Sequence, residues 1–77
     1  MPVMPIFSGL QVIKILRDLG FVVAHKSKKN HISLRRGFYV CVVPANHDEL
    51  ASGTLSSILR QAGLSRDDFL IAAKRRR

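Results

Sequence analysis

The stretch from residue 21 to residue 43 limits the fold more than any other part of this 77-residue chain, because it holds three strand-like segments in immediate succession. Phe21-Val22-Val23-Ala24 is short, aromatic and β-branched, a composition that suits a half-buried pleated surface. From His31 to Arg35 apolar and polar residues alternate, placing Ile32 and Leu34 on one face and His31, Ser33 and Arg35 on the other. Phe38 to Val43 is a third such run, stopped by Pro44, which has no N–H to offer a ladder. The links between them, the polar stretch Lys26 to Asn30 and the reversal at Arg36-Gly37, are too short for a parallel crossover of a dozen or more residues. An antiparallel three-stranded meander is expected.

Helix signals flank the meander. Ser8 is an N-cap candidate and Gly20 a C-terminal stop for a helix over Gly9 to Leu19, whose Val12, Ile15, Leu16 and Leu19 share one face. Ser52 is the expected cap of a second helix with the apolar stripe Leu55, Ile58, Leu59 and Ala62, ended by Gly63, after which Leu64 folds back. Ser65, with Asp68 three residues on, fits the start of a last short helix carrying Phe69 and Leu70. The fold class is α+β, in the order αβββα plus a small terminal helix. Helices on one sheet face bury Ile32 and Leu34, so His31 points to the open face beside Arg35.

With 47% apolar and 23% charged residues the chain reads as one globular domain over 1–77, with an irregular lead-in at 1–7 around Pro2 and Pro5 and a basic tail at 74–77. The single Cys41 cannot form an internal disulfide, and three scattered histidines give no zinc-ligand spacing, so neither metal nor cofactor is expected. No apolar run approaches the roughly 20 residues of a membrane span, and the first residues lack the basic leader and length of a secretory signal; no membrane partner and a cytoplasmic location are expected. The net charge of +8 is concentrated. Lys26, Lys28, Lys29, Arg35 and Arg36 lie within an acid-free stretch, and Lys74 to Arg77 add four more cations, so that the rest of the chain is nearly balanced. Clustered cations attract polyanions through counterion release, which makes nucleic acid the leading partner.

His31 has the best context for chemistry. An imidazole with an ordinary pKa near 6.5 accepts or donates a proton at neutral pH. RNA carries its own nucleophile, the 2′-hydroxyl, so proton transfer and cations beside the phosphate suffice to cleave it. Lys26, Lys28, Lys29, Asn30, Ser33, Arg35 and Arg36 are the candidate RNA contacts around His31. His25, at the end of the first strand, and His47, in a loop, are weaker candidates, and Cys41 is a packing residue. Two further readings stay open: a non-catalytic RNA-binding module, and a helix-turn-helix DNA reader at Ile58 to Phe69, although Asp67 and Asp68 would there face phosphate.

Gly53-Thr54-Leu55, followed by Ile58-Leu59-Arg60-Gln61-Ala62-Gly63-Leu64-Ser65 and a later Phe69, falls in a recognisable order with Ser8-Gly9, Leu19-Gly20-Phe21, Val43-Pro44 and Glu49-Leu50. From Ser8 to Phe69 the chain resembles the HicA family of toxins. The resemblance implies a double-stranded-RNA-binding-like fold and the activity of a type II toxin–antitoxin toxin, a metal-independent endoribonuclease that cuts messenger RNA. It also implies His31 as the catalytic residue and a HicB-like antitoxin as protein partner. The family pattern Gly-Ser-His at the start of the second strand appears here as Lys29-Asn30-His31, with the histidine kept and Gly-Ser replaced.

Overall fold

The structure, a computed structural model, describes residues 6–26 and 30–76. The element order is α1 (Gly9–Asp18), β1 (Val22–Lys26), β2 (His31–Arg36), β3 (Tyr39–Pro44), α2 (Ser52–Ala62) and α3 (Arg66–Arg75). The strands form one antiparallel sheet in the order β1-β2-β3, as the short links require.

Ser8 caps α1 in a reciprocal box: its Oγ accepts from the Gln11 N–H at 3.1 Å, and Gln11 Oε1 accepts from the Ser8 N–H at 2.8 Å. At the other end Gly20 adopts φ +98°. The N–H groups of Gly20 and Phe21 return to the carbonyls of Arg17 and Leu16, the paired bonds of a Schellman stop. Phe21 thus belongs to the helix stop rather than to β1, and the turn delivers its ring into the core. Lys26, assigned by pattern to the turn, is the last residue of β1.

The loop between β2 and β3 is Gly37-Phe38, with Gly37 at φ +62°, so Phe38 lies in the turn, fully exposed, and β3 begins at Tyr39. Such a two-residue loop with glycine first matches strand twist.

The start of α2 departs from the expected cap. Ala51 is the N-cap, with no side-chain hydrogen bond, and Ser52 is the first helical residue. The start is set instead by the preceding chain: Leu50 is buried and its N–H donates to the Phe7 carbonyl at 2.9 Å. At the far end Gly63 is left-handed at φ +70°, and Leu64 N–H returns to the Leu59 carbonyl at 2.9 Å, a second Schellman stop. Ser65 and Asp68 form the expected capping box of α3.

The expected basic tail begins inside a helix. Lys74 and Arg75 are the last turn of α3, and Arg76 pairs with Asp18 of α1 at 2.7 Å. The helix continues because Ala72 is buried and Ala73 packs on the core, while cations in a last turn suit the helix dipole.

A single core joins Val12, Ile15 and Leu16 of α1, Leu34 of β2, Cys41 and Val43 of β3, and the apolar stripes of α2 and α3. Phe7 closes it with an edge-to-face contact to Phe69, ring centroids 5.1 Å apart. No described helix is long and apolar enough to cross a membrane.

Candidate active site

The strand register separates two faces. Leu34 pairs with Cys41 and Ile32 with Val43 on the inner face, while Arg35 pairs with Val40 and Ser33 with Val42 on the outer; His31 pairs with Pro44, which is buried where the chain leaves the sheet. Leu34, Cys41 and Val43 are buried, whereas Val40 and Val42 are exposed. His31 is the exposed first residue of β2, on the face where the alternation puts it, with Ser33 and Arg35 following on the same side. None of the three strands contains an acidic residue.

The backbone entering His31 is specialised. Asn30 has φ +64°, a left-handed conformation that asparagine tolerates better than most residues. Its carbonyl accepts from Ala45 N–H at 2.8 Å, which extends the β2–β3 ladder past its last pair. Beyond Pro44 the chain turns back, with His47 N–H donating to the Pro44 carbonyl and Gly9 N–H to the His47 carbonyl at 2.9 Å. The end of the sheet that carries His31 is therefore tied to the first turn of α1. Gly9 permits this approach, since a Cβ there would overlap the Pro44 carbonyl oxygen.

The remaining candidate residues separate. Arg36 pairs with Tyr39, donates through Nη1 to the Leu19 carbonyl at 2.7 Å and lies 5.0 Å from the Phe21 ring centroid, which ties β2 to the end of α1. Lys26 pairs with Ile32 and so occupies the face opposite His31, exposed on an edge strand. Lys28 and Lys29 lie outside the described residues. Cys41 is fully buried, and burial pushes its thiol up to about 11, which keeps it protonated and in a packing role.

Residues 9–64, well over half of the chain, match the family described as the HicA toxin of bacterial toxin–antitoxin systems. The chain belongs to the HicA toxin family. No match was found among curated proteins. In this HicA-family chain the matched segment runs from the first residue of α1 to the Leu64 stop after α2 and includes the whole sheet.

Val22, Val40 and Val42 are 58%, 47% and 43% exposed, so the polar residues stand among apolar ones on the outer face. One feature of that face escaped the sequence pattern. His25 also belongs to this face. It pairs with Ser33, because the register shifts between Val23 and His25. Nothing in the spacing of β1 announces that shift.

Proposed function

We propose that this HicA-family toxin is a metal-independent endoribonuclease that cleaves messenger RNA, with His31 transferring the proton on which cleavage depends. The observation that carries this reading is the position of His31: exposed, at the start of β2, on an open strand face free of acids. In this reaction the RNA 2′-oxygen loses its proton and attacks the adjacent phosphorus. The bond to the 5′-oxygen then breaks, and that oxygen gains a proton. A general acid or base in hydrogen-bond reach contributes about 10²- to 10⁴-fold, and nearby cations stabilise the charge that develops on the phosphoryl oxygens. Arg35 is the described cation on the His31 face, with Ser33 between it and His31 and Asn30 just before His31; Lys28 and Lys29 of the β1–β2 link add phosphate contacts, and Lys26, on the opposite face of the edge strand, meets RNA that passes around the sheet edge. Arg36 is held by Leu19 and Phe21 and contributes to the fold first.

A HicB-like antitoxin fits the same face. Val22, Val40 and Val42 offer apolar area for a protein partner, and an acidic partner surface complements Arg35 and the lysines. Such a partner excludes RNA from His31 by occupying it.

The test is RNA cleavage by the purified protein in EDTA, with and without antitoxin, beside a His31→Ala variant of unchanged circular dichroism. Cleavage by the wild type in EDTA, at least about 100-fold loss in the variant, and inhibition by antitoxin are expected. Equal cleavage by the variant removes His31 from the chemistry, and cleavage lost only on chelation removes the metal-free mechanism. Salt-sensitive RNA binding with no cleavage under any condition identifies a binding module instead.

A further inference from the structure

From the register of β1 we infer that His25 is a second catalytic histidine, which acts with His31 as an acid/base pair across one phosphodiester; this rests on the ribonuclease reading above. Val22 pairs with Arg35 on the outer face and Val23 with Leu34 on the inner. Regular alternation would then place Ala24 opposite Ser33 on the outer face and His25 opposite Ile32 on the inner, beneath the sheet. Instead His25 pairs with Ser33 and Lys26 with Ile32. Ala24 is the extra residue of a β-bulge, and bulges re-aim the side chain that follows them.

The consequence is a juxtaposition of two exposed histidines. His25 lies directly across from Ser33, and His31 lies two residues along β2 on that same face. Cross-strand diagonal neighbours stand about 7–8 Å apart at the backbone, within reach of long or aromatic side chains. Two imidazoles at that spacing, each reaching about 3 Å to its oxygen, can bracket a phosphate whose attacking and leaving oxygens lie on opposite sides of phosphorus.

The step balances without any co-reactant. A neutral imidazole takes the 2′-hydroxyl proton as the bond from that oxygen to phosphorus forms. The other imidazole, as imidazolium, gives its proton to the 5′-oxygen as its bond to phosphorus breaks. The products are a 2′,3′-cyclic phosphate and a 5′-hydroxyl, and the enzyme is left with the two protonation states exchanged. Arg35 is the charged group on the same face; Lys26, next in β1, pairs with Ile32 on the opposite face, and His47, Asp48 and Glu49 follow in the loop after Pro44.

The experiment compares wild type, His25→Ala and His31→Ala on an RNA dinucleotide and on a nucleoside 3′-(p-nitrophenyl phosphate), across pH 5 to 9, with folding checked by circular dichroism. A pair requires one histidine neutral and one charged, so wild-type kcat/KM should be bell-shaped with pH. Each alanine variant should lose at least about 100-fold in kcat on the dinucleotide, together with one limb of the bell. Nitrophenolate leaves without protonation, so one of the two variants, the one lacking the acid, should recover most of its activity on that substrate. His25→Ala with unchanged kcat, or with a loss confined to KM and both limbs retained, overturns the pair and leaves His31 as sole catalyst. Wild type that cleaves neither substrate overturns the ribonuclease reading and the pair with it.

Discussion

Gly9→Ala is expected to destabilise this protein, although helix propensity alone points the other way. Gly9 is the first residue of α1, and alanine is favoured over glycine in a helix by about 1 kcal/mol, less in the first turn. A Cβ at this position would overlap the Pro44 carbonyl oxygen and lie 2.9 Å from the Pro44 carbonyl carbon and 3.0 Å from Ala45 Cα. All three are backbone atoms, so no side chain can rotate out of the way. Pro44 is held by its pairing with His31 and by the His47 N–H, and Ala45 by the Asn30 carbonyl. Overpacking of this kind costs about 1–3 kcal/mol, and a fixed obstacle puts Gly9 in the upper part of that range. After the propensity gain about 2 kcal/mol remains, which in a domain of this size lowers Tm by about 8–16 °C. Gly53→Ala supplies the comparison. Gly53 is also in the first turn of a helix, but a Cβ there meets nothing within 4 Å, so that substitution should be neutral or stabilising by up to about 1 kcal/mol. Thermal and urea unfolding followed by circular dichroism reads both. A Gly9→Ala protein with Tm at or above wild type, or two variants shifting in the same direction, would refute the close approach of α1 to the end of β3.

The caps separate in the same way. Ser65→Ala removes the oxygen that accepts from Asp68 N–H at 3.0 Å and should cost about 1 kcal/mol in urea unfolding, whereas Ser52→Ala should stay within about 0.5 kcal/mol and Ala51→Ser should gain up to about 1 kcal/mol. Cys41 makes stability fall at high pH. Its folded pKa of about 11 lies above the ordinary 9.0 of an exposed thiol, so the unfolded chain releases the thiol proton first. The stabilisation is complete below pH 9 and is lost as pH rises through 11, by up to about 3 kcal/mol. The stability gap between wild type and Cys41→Ala should narrow by that order between pH 8.5 and 11.5, and a gap independent of pH would remove the assignment.

What the sequence made legible were features with a short-range cause. The period of two in β2 placed His31, Ser33 and Arg35 on one face, and the register bears this out. Gly20 and Gly63 marked helix stops because a left-handed residue is needed there, and both stops form. Features with a long-range cause were not legible. Ser52 has the better local chemistry for a cap, yet the helix starts one residue earlier because Leu50 is anchored in the core and to Phe7. Lys74 and Arg75 look like a tail until Ala72 and Ala73 are seen packed, which carries α3 past them. Arg36 looks like one more cation of the acid-free stretch around His31 until Leu19 and Phe21 are found beneath it.

His25 belongs with these, for the most local of the reasons. One inserted residue in an edge strand reverses every face assignment after it, and neither propensity nor hydrophobic period registers the insertion, since Val22, Val23, Ala24 and His25 are all exposed. The pairing partner across the strand does register it: only Ser33 shows which way His25 points. A histidine that the pattern of its own strand would turn under the sheet stands instead on the face of His31, on a chain whose family membership leads one to look for proton-transfer groups there. The alternation of β2 located one half of the proposed site, and the irregularity of β1 supplied the other.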